Sequence, residues 1–471
     1  MAVTPIIVLL VTLAYIVISM GSDAISDYSP FTLLGAAALA VVISIIGGAY
    51  SSRGMSIGFH RSAKQILPTV PMLIFIATVS TTWMLSGVVP TLIDYGLAIL
   101  NPTFFLVTTC AVCAVISVLT GSSWSTIATI GVAFMGIGSV MGYNPGWIAG
   151  AVISGAYFGD KVSPLSDTTV LASSTCGVDL FDHIRYLMVT SMPAMGVALL
   201  TFLVAGLLTD NSSVEASTEM ISYLQESFNV TPWVLIIPVV TVTMIAMRMN
   251  TILILGLSSV LGVIGMFIFQ PAIVDQLFGA NGGFGEHVAT LARILWSETT
   301  IETGHETLNE LVETSGILGM LSTIMLILCA MIFGSVMIGT GMLDTITRTF
   351  THRLRRRRSI VGATVASGLF LNSCTGDQYL SIIIGGNMYR NLYRRYRFEP
   401  RLLSRTLEDS ISVTSVLIPW NSCGVTQSTV LSVPTLTYLP FCVFNYMSPL
   451  ITLLFAFLGF KIKKLATPAQ K

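Results

Sequence analysis

The chain has 471 residues, 53% hydrophobic and only 10% charged, with a mean hydropathy of +0.82. A soluble domain carries roughly 25% charged residues, so this balance excludes an ordinary soluble globular protein and predicts a polytopic helical membrane protein. Basic and acidic residues number 23 each, and this zero net charge suggests no nucleic-acid partner.

In chain order, apolar runs predict spanning helices at 4–20, 31–50, 68–93, 145–175, 186–208, 232–247, 251–270, 316–345, 407–431 and 435–460. The first has no basic start and no small-residue cleavage signal, so it reads as a retained helix rather than a signal peptide. Two further apolar stretches, 103–140 and 359–390, are interrupted by Thr120-Gly-Ser-Ser-Trp-Ser125 and Asn372-Ser-Cys-Thr-Gly-Asp377. Their arms are about 16–20 residues, marginal for crossing roughly 30 Å of hydrocarbon, so re-entrant hairpins and pairs of full helices both remain open. Polar, glycine-bearing midpoints favour buried re-entrant tips. In the loop 271–315, which holds Gly282-Gly283, residues Glu298, Glu302, Glu306 and Glu310 follow an i, i+4 rhythm that predicts one acidic helical face.

Basic residues near helix ends favour the cytoplasm. Arg53, Arg61 and Lys64 follow the second span, and Arg353 and Arg355 to Arg358 follow the eighth. Arg390, Arg394, Arg395, Arg397, Arg401 and Arg405 precede the ninth, and Lys461, Lys463 and Lys464 follow the tenth. All lie on one side if ten helices cross and both interrupted stretches return to the side they entered, which makes both termini cytoplasmic. Gly121 precedes Pro164 by 43 positions, and Gly376 precedes Pro419 by the same 43. Equal spacing and opposite flanking charge predict an inverted repeat. The first repeat is 1–208, an external linker 209–231, and the second repeat 232–471. Each repeat has five spanning helices, a hairpin (about 103–140 or 359–390) and a broken helix (about 145–175 or 407–431).

The stretch Phe158-Gly-Asp-Lys-Val-Ser-Pro-Leu-Ser-Asp-Thr-Thr169 puts Asp160, Lys161 and Asp167 in apolar surroundings around Pro164. A charge inside hydrocarbon costs about 2.5–3.5 kcal/mol on insertion scales and marks a candidate site. Pro164 and Pro419 free backbone carbonyls. Ser122, Ser123, Ser163, Ser166, Thr168, Thr375, Asn421 and Ser422 add the hard oxygens that a sodium ion needs. Each hydroxyl also has a packing reading, as an interhelical hydrogen bond. Asp160, Asp167 and Asp377 are the candidate cation- or proton-binding carboxylates, since one carboxylate holds either a proton or a metal cation. Lys161 pairs with a carboxylate or extends to the interface. Glu408 and Asp409 either favour the start of the ninth helix or act as a proton relay. Trp124 and Trp420 read as packing. The seven Cys read as buried thiols. His60, His183, His287, His305 and His352 fall in predicted loops or helix ends, with no nucleophile–base pairing, so no enzyme and no cofactor is expected.

At these residues the chain resembles the NhaC-type sodium/proton antiporter family of the ion transporter superfamily. The resemblance rests on Gly121-Ser-Ser-Trp-Ser-Thr-Ile-Ala-Thr-Ile-Gly131, Gly159-Asp-Lys-Val-Ser-Pro-Leu-Ser-Asp-Thr-Thr169, Gly376-Asp-Gln-Tyr-Leu-Ser381, Ser404-Arg-Thr-Leu-Glu-Asp-Ser410 and Ile418-Pro-Trp-Asn-Ser-Cys-Gly424. It implies a multi-pass secondary transporter of a bacterial or archaeal plasma membrane, a homodimer in contact with lipid, exchanging Na+ and H+. Similar sequences also exchange malate with protons for lactate with sodium, or carry amino acids. The uncharged Gly385-Gly386-Asn387, where a carboxylate carrier is expected to hold a basic residue, tilts the expectation towards simple sodium/proton exchange.

Overall fold

The computed structural model describes residues 1–21, 24–209, 222–247, 249–279, 284–303, 309, 312–351, 354 and 356–462. Gly282, Gly283, Glu306, Glu310, Arg353, Arg355, Lys463, Lys464, His305, His352 and 210–221 of the expected linker lie outside the described residues. The described chain is helical throughout, apart from one isolated bridge between Thr299 and Thr314.

Among the described residues, seven helices are long and apolar enough to cross a membrane: Asp27–Ile46, Ser52–Leu85, Pro102–Thr120, Ser123–Val140, Leu180–Leu208, Thr251–Phe269 and Gly316–Gly339. The pair Thr435–Phe441 and Val443–Leu458, bent by 56°, makes an eighth if counted as one span. Five of the seven coincide with expected spans, at 31–50, 68–93, 186–208, 251–270 and 316–345, and two are the arms of the interrupted stretch 103–140; the other expected spans are short, as at Thr4–Met20, or broken in the backbone. Gly87, with φ 80, separates Thr69–Leu85 from Val88–Ile99. Residues 163–166 separate Pro145–Val162 from Asp167–Cys176. Large apolar side chains such as Ile18, Leu207 and Leu458 stand exposed on helix faces, as a lipid-facing surface requires.

Of the expected acidic helical face, Glu306 and Glu310 lie outside the described residues and the described part is not helical. Glu298 and Glu302 lie in non-helical chain, because the Thr299–Thr314 bridge (2.8 and 3.0 Å) holds this segment extended.

The helices Phe105–Thr120 and Pro145–Val162 pack closely along their length, and glycine makes that possible. A Cβ on Gly155 would fall 2.1 Å from the Cys110 carbonyl oxygen, and one on Gly159 would fall 2.4 Å from that of Ala114. Small residues are what let membrane helices approach this closely. Gly155→Val is therefore expected to lower stability by about 3 kcal/mol, the upper part of the usual overpacking range, read as a fall in the melting temperature of the purified protein.

Candidate functional site

Both interrupted stretches turn in the same way. Helix Phe105–Thr120 ends at Gly121 (φ 68, ψ 20), and helix Arg357–Thr375 ends at Gly376 (φ 66, ψ 11). This left-handed conformation is one that glycine adopts without strain. The next residue caps the following helix. Ser122 accepts a hydrogen bond from the Ser125 amide at 3.2 Å, and Asp377 accepts one from the Leu380 amide at 2.8 Å.

Around each cap lies one knot of hydroxyls. Thr120 Oγ1 donates to the Ser122 carbonyl (3.3 Å) and meets Thr126 Oγ1 (3.2 Å). Thr375 Oγ1 donates to the Asp377 carbonyl (2.9 Å) and meets Ser381 Oγ (2.8 Å). The residues recur at the same spacing in both tips.

Each tip seats on a helix break. Helix Pro145–Val162 becomes extended at Ser163, and Ser166 caps the helix that restarts at Asp167. In the second half Ile418 is extended, and Asn421 caps Ser422–Val430. Asp160 Oδ2 accepts from Ser123 N (3.1 Å) and Ser123 Oγ (2.7 Å). In the second half Ser415 Oγ donates to Gln378 Oε1 at 3.3 Å, across the same 37 positions. The Ser422 amide donates to the Gly376 carbonyl at 2.8 Å. A Cβ on Gly121 would fall 2.5 Å from Leu165 Cβ.

The two assemblies face one cavity of about 660 Å³. Its wall takes Thr120, Gly121, Ser122, Asp160, Asp167 and Thr168 from the first half, and Asp377, Gln378, Tyr379 and Ser422 from the second. Among the described residues, no Lys or Arg lines it. Three carboxylates with several hydroxyls make a cavity suited to cations. Trp124 also lines it while packing against the apolar core. Trp420 keeps a packing role, donating from Nε1 to the Ser373 carbonyl at 2.8 Å.

The remaining expected oxygens build the frame rather than the wall. Ser163 Oγ donates to the Val118 carbonyl (2.8 Å), Ser166 Oγ meets Thr168 Oγ1 (3.0 Å), and Asn421 Nδ2 donates to the Asn372 carbonyl (3.2 Å). Pro164, Gly376 and Pro419 shape the backbone. Tyr379 and Gln378 were not anticipated. Their position directly after the second cap, matching Ser123 and Trp124 after the first, was the available signal.

Lys161, Glu408 and Asp409 lie outside the cavity, in a second buried polar cluster. Lys161 is 2% exposed and pairs with Asp409, so it neither extends to the interface nor pairs with Asp160 or Asp167. Asp409 also accepts from Ser448 (2.8 Å), Thr190 (3.0 Å) and Thr452. Glu408 and Asp409 do not start a helix. The helix begins at Pro400 and continues through a π-helical turn at Glu408–Ser412, so the helix-start reading is corrected. Arg405, expected as a cytoplasmic anchor, is fully buried. Its guanidinium lies 4.4 Å from the Tyr186 ring and its Nε 3.9 Å from Asp409. His183, also buried, bonds Ser404 Oγ through Nδ1 at 2.8 Å. All seven Cys are free and buried.

Lipid-facing helices around a buried, ion-lined cavity built from broken helices define a membrane transport protein. The model of the Na+/H+ antiporter family matches residues 1–186 and 155–460, and the chain belongs to that family. It is 34% identical to the Na(+)/H(+) antiporter NhaC of Alkalihalophilus pseudofirmus, over 92% of each chain. It is also 34% identical to the Na(+)/H(+) antiporter NhaC of Bacillus subtilis, over 85% of this chain and 86% of that one. It is 32% identical to the Malate-2H(+)/Na(+)-lactate antiporter of Bacillus subtilis, over 87% of this chain and 85% of that one.

Proposed function

We propose that this protein is a secondary active transporter of the plasma membrane that exchanges sodium for protons at the cavity between the two tips. The observation that carries this reading is the meeting of Asp160, Asp167 and Asp377 in one wall that no Lys or Arg lines among the described residues. Closely placed carboxylates in a poorly hydrated space repel, and a proton or a sodium ion relieves the repulsion. Whichever cation enters displaces the other, and that competition is antiport. In this reading Ser122, Thr168 and Ser422 supply further oxygens from the wall, while Ser123, Ser163, Ser166, Thr375 and Asn421 hold the breaks and tips in place. No cofactor takes part.

The architecture that goes with it is a pair of inverted repeats of five spans, 1–208 and 232–471, with both termini cytoplasmic and two copies forming a homodimer in the lipid. The equal hydroxyl knots and the two 37-position contacts support the repeat. The four arms of the interrupted stretches have 19, 18, 19 and 18 residues, or about 27–29 Å at 1.5 Å each.

In proteoliposomes holding a pH gradient, sodium alone is expected to collapse the gradient. A second reading, coupled exchange of an organic solute, is favoured by the cavity's volume. About 660 Å³ falls within the roughly 300–1,000 Å³ of small-molecule sites. An acidic wall favours a cationic solute over malate or lactate. A gradient that sodium leaves intact, and that collapses only when malate, lactate or an amino acid is added, would replace the first reading with the second.

A further inference from the structure

The second buried cluster contains one acid whose oxygens meet no hydrogen-bond geometry among the described residues. Glu408 is fully buried, and neither of its carboxyl oxygens has a hydrogen-bond partner among the described residues. Its neighbour Asp409 is the opposite case, an anion held by Lys161, Ser448, Thr190 and Thr452. An unpaired charge in such a place costs several kcal/mol, so Glu408 holds a proton in this conformation. Glu408 also sits in a π-helical turn, a distortion frequent at functional sites. One turn further on, the buried Ser412 hydroxyl interacts with Glu408 but lies outside hydrogen-bond geometry.

The charged and titratable groups around Glu408 come from several elements. Its own helix contributes Arg405 and Asp409. Helix Pro145–Val162 contributes Lys161 and Asp160, and helix Asp167–Cys176 contributes Cys176. From Gln378–Arg395, which packs against the turn, Tyr389 and Tyr393 bond Ser367 and Thr364 on Arg357–Thr375. From Val443–Leu458, Ser448 and Thr452 both bond Asp409. With Asp160 counted to the cavity wall, two cations, Lys161 and Arg405, face one fixed anion, Asp409. With its proton Glu408 leaves the cluster at one net positive charge, and without it the cluster is neutral. Asp160, a wall residue of the cavity, is the chain neighbour of Lys161, whose ammonium pairs with Asp409 beside Glu408. A sodium ion arriving at Asp160 adds positive charge beside a cluster that already has an excess, and the cluster relieves this by losing the proton.

We propose that Glu408 carries the exchanged proton at a site separate from the sodium cavity, coupled to it through Asp160 and Lys161. The inference rests on the sodium/proton reading but moves the proton from the shared wall to Glu408, so that sodium displaces it through charge rather than from the same oxygens. It is tested in proteoliposomes by two measurements on the full-length protein, sodium-driven proton release and isotopic sodium/sodium exchange. In Glu408→Gln, proton release is expected to fall by roughly 100-fold or more, the scale of losing a positioned proton carrier, while sodium isotope exchange persists. Glu408→Asp restores proton release with a displaced pH dependence. Proton release retained by Glu408→Gln with the wild-type pH profile overturns the proposal. So does loss of both fluxes in Glu408→Gln together with no recovery in Glu408→Asp. If the wild-type protein itself exchanges no sodium, the sodium/proton reading falls and this one with it.

Discussion

Asp160→Asn is expected to reduce sodium-driven proton exchange by roughly 100-fold or more, equivalent to about 2.7 kcal/mol of lost stabilisation, while the protein remains folded. Asp160 does two jobs. Its Oδ2 accepts both the amide and the hydroxyl of Ser123, which seats the first tip on the first break, and it lines the shared cavity. An asparagine of the same shape can still turn its oxygen to Ser123, so the seat survives and only the charge is lost. Asp160→Ala removes both, leaving a buried amide and hydroxyl unpaired at about 1–3 kcal/mol each, and is expected to lower the melting temperature as well. Asp167, at the exposed first position of its helix, has a second route to solvent. Asp167→Asn is therefore expected to raise the sodium requirement with less effect on the maximum rate. The check is the initial rate of proton release across a sodium series, beside a melting curve for each variant. A wild-type rate in Asp160→Asn would remove that carboxylate from the exchange.

The second large effect falls on stability, and its order is fixed by charge. Asp409 is the one hydrogen-bonded anion between Lys161 and Arg405, all three fully or almost fully buried. Removing one partner of a buried pair costs about 3–5 kcal/mol, because the other charge is left without compensation. Asp409→Asn strands two cations, whereas Lys161→Met leaves Arg405 beside Asp409. Asp409→Asn is therefore expected to be the more damaging, and the double variant Lys161→Met with Asp409→Asn milder than Asp409→Asn alone. Melting temperatures of the three purified variants give the order directly. If Lys161→Met proves the worst, the pair does not hold the cluster together as described.

Particular residues explain which parts of the site could be read along the chain. Gly121 and Gly376, with the capping residues Ser122 and Asp377, were legible because a left-handed turn and a helix cap are written in neighbouring positions. The breaks at Pro164 and Pro419 were legible for the same reason. Arg405 was misread because a basic residue near a helix end looks the same whether the helix starts in solvent or continues inside the protein. Glu408 and Asp409 were misread with it. The helix start expected there is displaced to Pro400, and the π-helical turn keeps the chain helical past both acids. Glu298 and Glu302 had a helical rhythm that a single long-range bridge between Thr299 and Thr314 overrides.

By itself, the sequence determined that this is a helical membrane protein, where its helices turn and break, and which carboxylates lie in apolar surroundings. Those properties arise from composition and from backbone preferences that act over a few residues. Only the tertiary structure decided that Asp160, Asp167 and Asp377 share one cavity, that Lys161 joins Asp409 across 248 positions, and that Glu408 is buried beside them outside hydrogen-bond geometry with any described residue. Such pairings follow from helix packing, and which side chain meets which across a membrane bundle is set by residues far apart in the chain.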